Sequence, residues 1–214
     1  MDIKLRVETF AVGPLDNNSY LIIEPSSLKA LVVDPSMDSD DVAKRIVDLK
    51  LSLEGVVNTH GHFDHTFNNA LFAERFSAPV LIHEADLPLL REMVQHAENF
   101  GFEAKASPEP ASFLHDGVPI KVGERELAVL FTPGHSPGGV CLAADDFVIS
   151  GDTLFAGSIG RTDLPGGDFN QLADSIRSRL YSLPNSTTVL PGHGPPTTIG
   201  AEKKDNPFVP GRVL

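Results

Sequence analysis

Short apolar runs alternate with amphipathic stretches along most of the chain. Residues 28–33 are aliphatic and β-branched and stop at Asp34-Pro35, which predicts a buried strand. Asp38 or Ser39 then caps a helix with Val42, Ile46, Leu49 and Leu53 on one face. Residues 55–59 form a second strand running straight into His60. A helix follows from about Asp64 with Phe67, Ala70, Leu71 and Phe76 inward, and residues 79–82 make a third strand. Residues 84–97 read as helical, interrupted early by Pro88, and residues 99–117, rich in Pro, Ser and Glu, as a loop.

The second half repeats the rhythm. A strand at 126–131 ends in Thr132-Pro133-Gly134-His135, and one at 147–150 ends at Gly151-Asp152. A helix over 168–181 is N-capped by Asp168, carries Phe169, Leu172, Ile176 and Leu180 on one face, and is followed by Pro184. The last strand, 187–190, runs into Pro191-Gly192-His193. This alternation predicts a layered α/β fold, sheets inside and helices outside. Four strands end at a candidate ligand, at His60, His135, Asp152 and His193, and strand ends are where covered sheets carry functional side chains.

Composition narrows the function classes. The 214 residues carry a net charge of −12, the opposite of a nucleic-acid or anionic-lipid binder. Cys141, the single cysteine, excludes an internal disulfide and an all-thiolate metal site, and it reads as a core side chain. Residues 1–4 open into a mixed strand-like segment, without the charged and apolar regions of a secretory signal. No run approaches the roughly 18 apolar residues of a membrane span. The expectation is a cytoplasmic protein. Oligomeric state is not legible.

In His60-Gly61-His62-Phe63-Asp64-His65, His60 and His62 are two apart and point the same way from an extended segment. Asp64 and His65 follow at a helix start. Imidazole suits zinc, iron and copper, and carboxylate adds hard-ligand charge. So many titratable groups beside a core are costly unless something pairs with them. Glycine next to His135, Asp152 and His193 allows close backbone approach. His83 reads as structural, His96 and His115 as solvated, and Ser136 and Ser150 as turn residues.

Thr59-His60-Gly61-His62-Phe63-Asp64-His65, Thr132-Pro133-Gly134-His135-Ser136, Ser150-Gly151-Asp152-Thr153-Leu154-Phe155 and Pro191-Gly192-His193-Gly194 resemble the motifs of metallo-β-lactamase-fold hydrolases, specifically the short glyoxalase II-like members. The resemblance implies a single domain over residues 1–214: a four-layer αβ/βα sandwich of two packed mixed sheets with helices outside. It implies His60, His62 and His135 on one metal, Asp64, His65 and His193 on a second, and Asp152 between them. Asp34 matches a position that steadies the ligand loop. The implied cofactors are two divalent cations, zinc first, with iron or manganese compatible. The implied chemistry is attack by a metal-bridging hydroxide, with Asp64 as the catalytic carboxylate that orients it. The loop around Gly160-Arg161-Thr162-Asp163 resembles the glyoxalase II substrate loop, with Arg161 contacting substrate. It implies a small-molecule thioester substrate of the S-lactoylglutathione kind. A mononuclear-iron persulfide dioxygenase, held by His60, His135 and Asp152, and a lactone or other ester hydrolase are the alternatives. β-Lactamases rank lower, because those usually lack an aspartate matching Asp152.

Overall fold

The computed structural model describes residues 4–144 and 146–211. The strand-like reading of the first three residues lies outside that range. In chain order the strands are β1 (Arg6–Val12), β2 (Asn17–Glu24), β3 (Lys29–Val33), β4 (Ser52–Val57), β5 (Val80–His83), β6 (Ser112–Leu114), β7 (Ile120–Val122), β8 (Arg125–Phe131), β9 (Val140–Ala144), β10 (Phe147–Gly151), β11 (Leu154–Phe155), β12 (Ser158–Ile159), β13 (Thr188–Pro191) and β14 (Thr197–Thr198). The helices are α1 (Asp40–Asp48), α2 (Phe63–Thr66), α3 (Asn69–Phe76), α4 (Leu87–Arg91), α5 (Met93–Asn99), α6 (Phe169–Ser175) and α7 (Ile199–Asp205).

Two six-stranded sheets carry the fold, in the orders β1-β2-β3-β4-β5-β6 and β14-β13-β10-β9-β8-β7, with β11-β12 as a separate hairpin. Both sheets are mixed. β3 through β6 pair in parallel and β10 pairs in parallel with β13, while the remaining neighbours are antiparallel. Strand alternation sorts the side chains into layers. Tyr20, Ile22, Leu31 and Val33 face Leu127, Val129, Leu142 and Ile149 between the sheets. Leu21, Ile23 and Val32 point the other way, onto Val42, Ile46 and Phe72 of α1 and α3. Cys141, Val148 and Val189 meet Leu172, Ile176 and Leu180 on the far side. The four-layer sandwich expected from the sequence is therefore the observed fold.

Several element boundaries differ from the sequence reading, for local reasons. The helix expected from Asp64 breaks into α2 and α3, because the backbone N–H of Asn68 donates to the carbonyl of Pro35 (2.9 Å) instead of continuing its own helix. The buried apolar side chains of α3 are Phe72 and, as expected, Ala70, while Leu71 and Phe76 lie at the rim of that cluster. The stretch from Glu84 is a 3₁₀ turn (Glu84–Asp86) followed by α4 and α5, with Pro88 in the first turn of α4, where its missing N–H costs nothing. The predicted loop at 99–117 contains β6, which extends the parallel run. Asp168 caps α6 as expected, accepting from the Gln171 N–H at 3.0 Å. The helix continues as a π-helical turn (Ile176–Leu180), and Phe169, expected inward, is 46% exposed in the first turn, ahead of the buried stripe.

Candidate metal centre

The expected ligands meet at one edge of the sandwich. β4 leads into His60 and His62, α2 carries Asp64 and His65, the turn after β8 holds His135, and β10 and β13 run out into Asp152 and His193. The donor atoms of His60, His62 and His135 lie within 4.8 Å of one another, and so do those of Asp64, His65 and His193. In the first group Nδ1 of His62 is 2.9 Å from Nε2 of His135. In the second, Oδ2 of Asp64 is 3.4 Å from Nε2 of both His65 and His193. Asp152 reaches both groups. Its Oδ1 is 3.3 Å from Nε2 of His65, and its Oδ2 is 3.6 Å from Nε2 of His135 and 3.7 Å from Nε2 of His193.

Surrounding acceptors fix which ring nitrogen is bare. Nδ1 of His65 faces Asp34 Oδ2 (3.0 Å), Nδ1 of His135 the carbonyl of Arg161 (2.8 Å), and Nδ1 of His193 the carbonyl of Leu15 (3.0 Å). The Thr59 hydroxyl donates to Asp34 (2.6 Å) and so accepts from Nδ1 of His60 at 3.1 Å. Each of these four rings donates through Nδ1 and turns a bare Nε2 inward, the outer-partner pattern of metal-bound histidine. Nε2 of His60 is buried with no hydrogen-bond partner. Lone pairs face lone pairs at 3.3–3.4 Å around Asp64, His65 and Asp152. A tetrahedral ion with bonds of about 2.0–2.1 Å spaces its donors by about 3.4 Å. The residues fit divalent cations in donor chemistry, spacing and orphaned atoms.

The electrostatics point the same way. Burial, with the neighbouring rings, holds His60 well below the ordinary imidazole value, and burial and His135 bring His62 down to about 4, so both rings are neutral at pH 7, the form a metal ligand needs. Burial also works against a charged His65, yet Asp152 and Asp64 raise it well above the usual range; His193, desolvated likewise, is raised by Asp64 and Asp152. Burial pushes Asp64 up, but His65 and His193 bring it down to about 2. The carboxylates demand positive charge at this point, and a divalent cation supplies it while leaving the ring nitrogens bare.

A cavity of about 540 Å³ opens over the cluster. Leu15, Phe63, Leu89, Phe100, Leu164 and Pro165 give it a largely apolar wall; His62, Asp64, Asp152 and His193 form its floor. Arg161 lies at its edge, but the guanidinium is engaged by Asp163 through a bidentate pair at 2.7 and 2.8 Å. His96, expected to be merely solvated, also lines this cavity, 3.6 Å from Glu92. His83 is structural, stacked on Phe131 with ring centroids 4.5 Å apart.

The sequence model of the metallo-beta-lactamase superfamily matches residues 12–193. The chain belongs to this superfamily. It is similar to a probable metallo-hydrolase, YqgX of Bacillus subtilis (strain 168), at 38% identity, covering 95% of this chain and 97% of the relative. It is 32% identical to the hydroxyacylglutathione hydrolase GloC of Haemophilus influenzae, over 96% of this chain and 98% of that one. The crystal structure of TTHA1623 in a di-iron-bound form superposes with a TM-score of 0.86 at 37% identity, covering 94% of this chain and 99% of that one. The chain is thus a metal-dependent hydrolase of the metallo-beta-lactamase superfamily. Among the described residues no helix is long and apolar enough to cross a membrane.

This superfamily site depends on residues that the sequence reading passed over. Asp86, at the end of the 3₁₀ turn, accepts from the Gly61 N–H (2.8 Å), the Ser136 hydroxyl (2.7 Å) and the Gly138 N–H, pinning the loop of His60 and His62 to the loop of His135. Burial raises its carboxyl, with those donors opposing. Asn18 donates to the carbonyls of Pro191 (2.9 Å) and Gly194 (2.8 Å), and the Tyr20 hydroxyl to Pro191 (2.6 Å), which holds the His193 loop. Asn17 lies against Asp64, His65 and His193. The available signal was the pair Asn17-Asn18 opening a strand with an apolar centre at residues 20–23, where asparagine is unfavourable.

Proposed function

We propose that this superfamily member hydrolyses thioesters of the glyoxalase II type, S-lactoylglutathione among them, at a two-cation centre. The observation that carries the reading is Asp152, whose oxygens reach both ligand groups. One cation is assigned to His60, His62 and His135, the other to Asp64, His65 and His193, with Asp152 shared. Zinc is the first expectation, and the same donors accept iron or manganese. Bound there, the cations would lower the pKa of water and polarise the scissile carbonyl.

The chain's own groups do the rest. The apolar wall seats the substrate and keeps bulk water from the reacting carbonyl. Asp64, as a ligand of the second cation, would be a weak proton acceptor near neutral pH, so its task is to orient the attacking water. A thiolate, whose conjugate acid has a pKa of about 8.5, departs without a proton from the protein. That suits a site whose floor is built from neutral imidazoles and carboxylates. Arg161 is assigned to a substrate carboxylate, exchanging Asp163 for it. The likeness to GloC supports the substrate class.

Steady-state hydrolysis of S-lactoylglutathione, simple acyl thioesters, lactones and β-lactams by metal-loaded protein tests this reading. The expected result is thioester turnover with kcat/KM above about 10⁴ M⁻¹s⁻¹. Lactone turnover without thioester turnover would replace it with an ester or lactone hydrolase, and oxygen consumption with a glutathione persulfide would replace it with the one-iron alternative, under which Asp64, His65 and His193 have no shared task.

A further inference from the structure

We propose that Asn17 is itself a ligand of the second cation, through its side-chain carbonyl oxygen; this rests on the two-cation reading above. Asn17 is fully buried at the start of β2, and its backbone bridges antiparallel to His193. Its Nδ2 lies 2.9 Å from Oδ2 of Asp64, 3.3 Å from Nε2 of His65 and 3.4 Å from Nε2 of His193. Those are the three donors assigned to the second cation. The amide caps the face they form, at the spacing of one more vertex on a common coordination shell.

The hydrogen-bond chemistry shows which amide atom belongs there. All three partners are acceptors: a carboxylate oxygen, and two ring nitrogens whose opposite N–H groups are committed to Asp34 and to the carbonyl of Leu15. An NH2 brings two protons to three acceptors, and on the other arm Oδ1 is buried with no partner at all. Toward a cation at the focus of those lone pairs, an NH2 would direct positive hydrogens. A half-turn of the planar amide exchanges two arms of nearly equal shape and presents Oδ1 instead. An asparagine oxygen is a neutral, hard donor of the kind found in oxygen-rich cation sites. The two positions then differ in kind: three imidazoles at the first, and two imidazoles with carboxylate and amide oxygens at the second. The harder set favours manganese or iron over zinc more than the first does.

The test is stepwise zinc and manganese titration of chelator-stripped protein, with first and second dissociation constants measured by competition, for the unsubstituted chain, Asn17→Ala and Asn17→Asp. Asn17→Ala is expected to weaken the second ion at least tenfold and leave the first within about twofold. Asn17→Asp, which keeps the shape and places a charged oxygen at the vertex, is expected to tighten the second ion and serves where the alanine variant does not fold. Unchanged second-ion affinity in Asn17→Ala overturns the proposal. So does weakened second-ion affinity in Asn17→Asp, the outcome if the amide acts only as an N–H donor to Asp64. A single ion per chain in the unsubstituted protein would overturn the two-cation reading instead.

Discussion

Oδ2 of Asp34 lies 3.0 Å from Nδ1 of His65, and the same carboxylate takes the backbone N–H of Thr59 at 2.7 Å. One buried side chain therefore orients His65 of one group and anchors the backbone just before His60 of the other. Asp34→Ala takes the acceptor from three buried donors, the Thr59 N–H, the Thr59 hydroxyl and Nδ1–H of His65, at about 1–3 kcal/mol for each left unpaired. It is expected to weaken metal binding 10–100-fold, as loss of an outer partner does. Urea unfolding together with metal titration checks both.

Asp86 has the corresponding role for the first group. Asp86→Ala is expected to weaken the first ion at least tenfold and lower stability by about 2–4 kcal/mol, since the N–H groups of Gly61 and Gly138 lose their acceptor. The measurement is first-ion affinity beside denaturant midpoint. Lost stability with unchanged first-ion affinity would show that Asp86 only packs.

Arg161 and Asp163 give a kinetic prediction. Arg161→Ala is expected to raise KM for glutathione thioesters while leaving uncharged thioesters unaffected. Asp163→Ala, which frees the guanidinium, is expected to lower the same KM. An equal effect of Arg161→Ala on both substrate classes would assign the pair to loop structure alone.

Burial raises the Cys141 thiol to about 11, so at pH 8 only about one molecule in a thousand carries the thiolate. Ellman's reagent is expected to find no reactive thiol in folded protein and one per chain after unfolding.

Glu8 accepts a bidentate pair from Arg45 at 2.8 and 2.9 Å, which holds its carboxyl below the ordinary value against partial burial. A depressed folded-state pKa adds stability that is complete above the ordinary glutamate range and is lost as pH falls through the folded value. The stability gap between the unsubstituted chain and Glu8→Gln is therefore expected to be largest near pH 7 and to close toward pH 3, read by urea midpoints at each pH.

The fold, and the segments that meet at the candidate site, were legible in the sequence because His60, His135, Asp152 and His193 each follow the end of a buried apolar strand, a signal local in sequence. The same locality limits what can be read. Asn17, Asp86 and Asn18 act on partners far along the chain, and nothing beside them in sequence marks those partners. The break between α2 and α3 is likewise set by a tertiary acceptor, the carbonyl of Pro35. The pair of Arg161 with Asp163, two residues away, is by contrast a local contact that the sequence itself suggests. His96 reaches the cavity from α5, a placement that the residues around it in sequence do not mark.

Elemental analysis of purified protein, with metal counted per chain in the unsubstituted form and in His193→Ala, goes to the centre of the proposal. Two divalent ions per chain, falling to one in His193→Ala with loss of thioester turnover, is the expected result. One ion per chain in the unsubstituted protein, unchanged by His193→Ala, would contradict it.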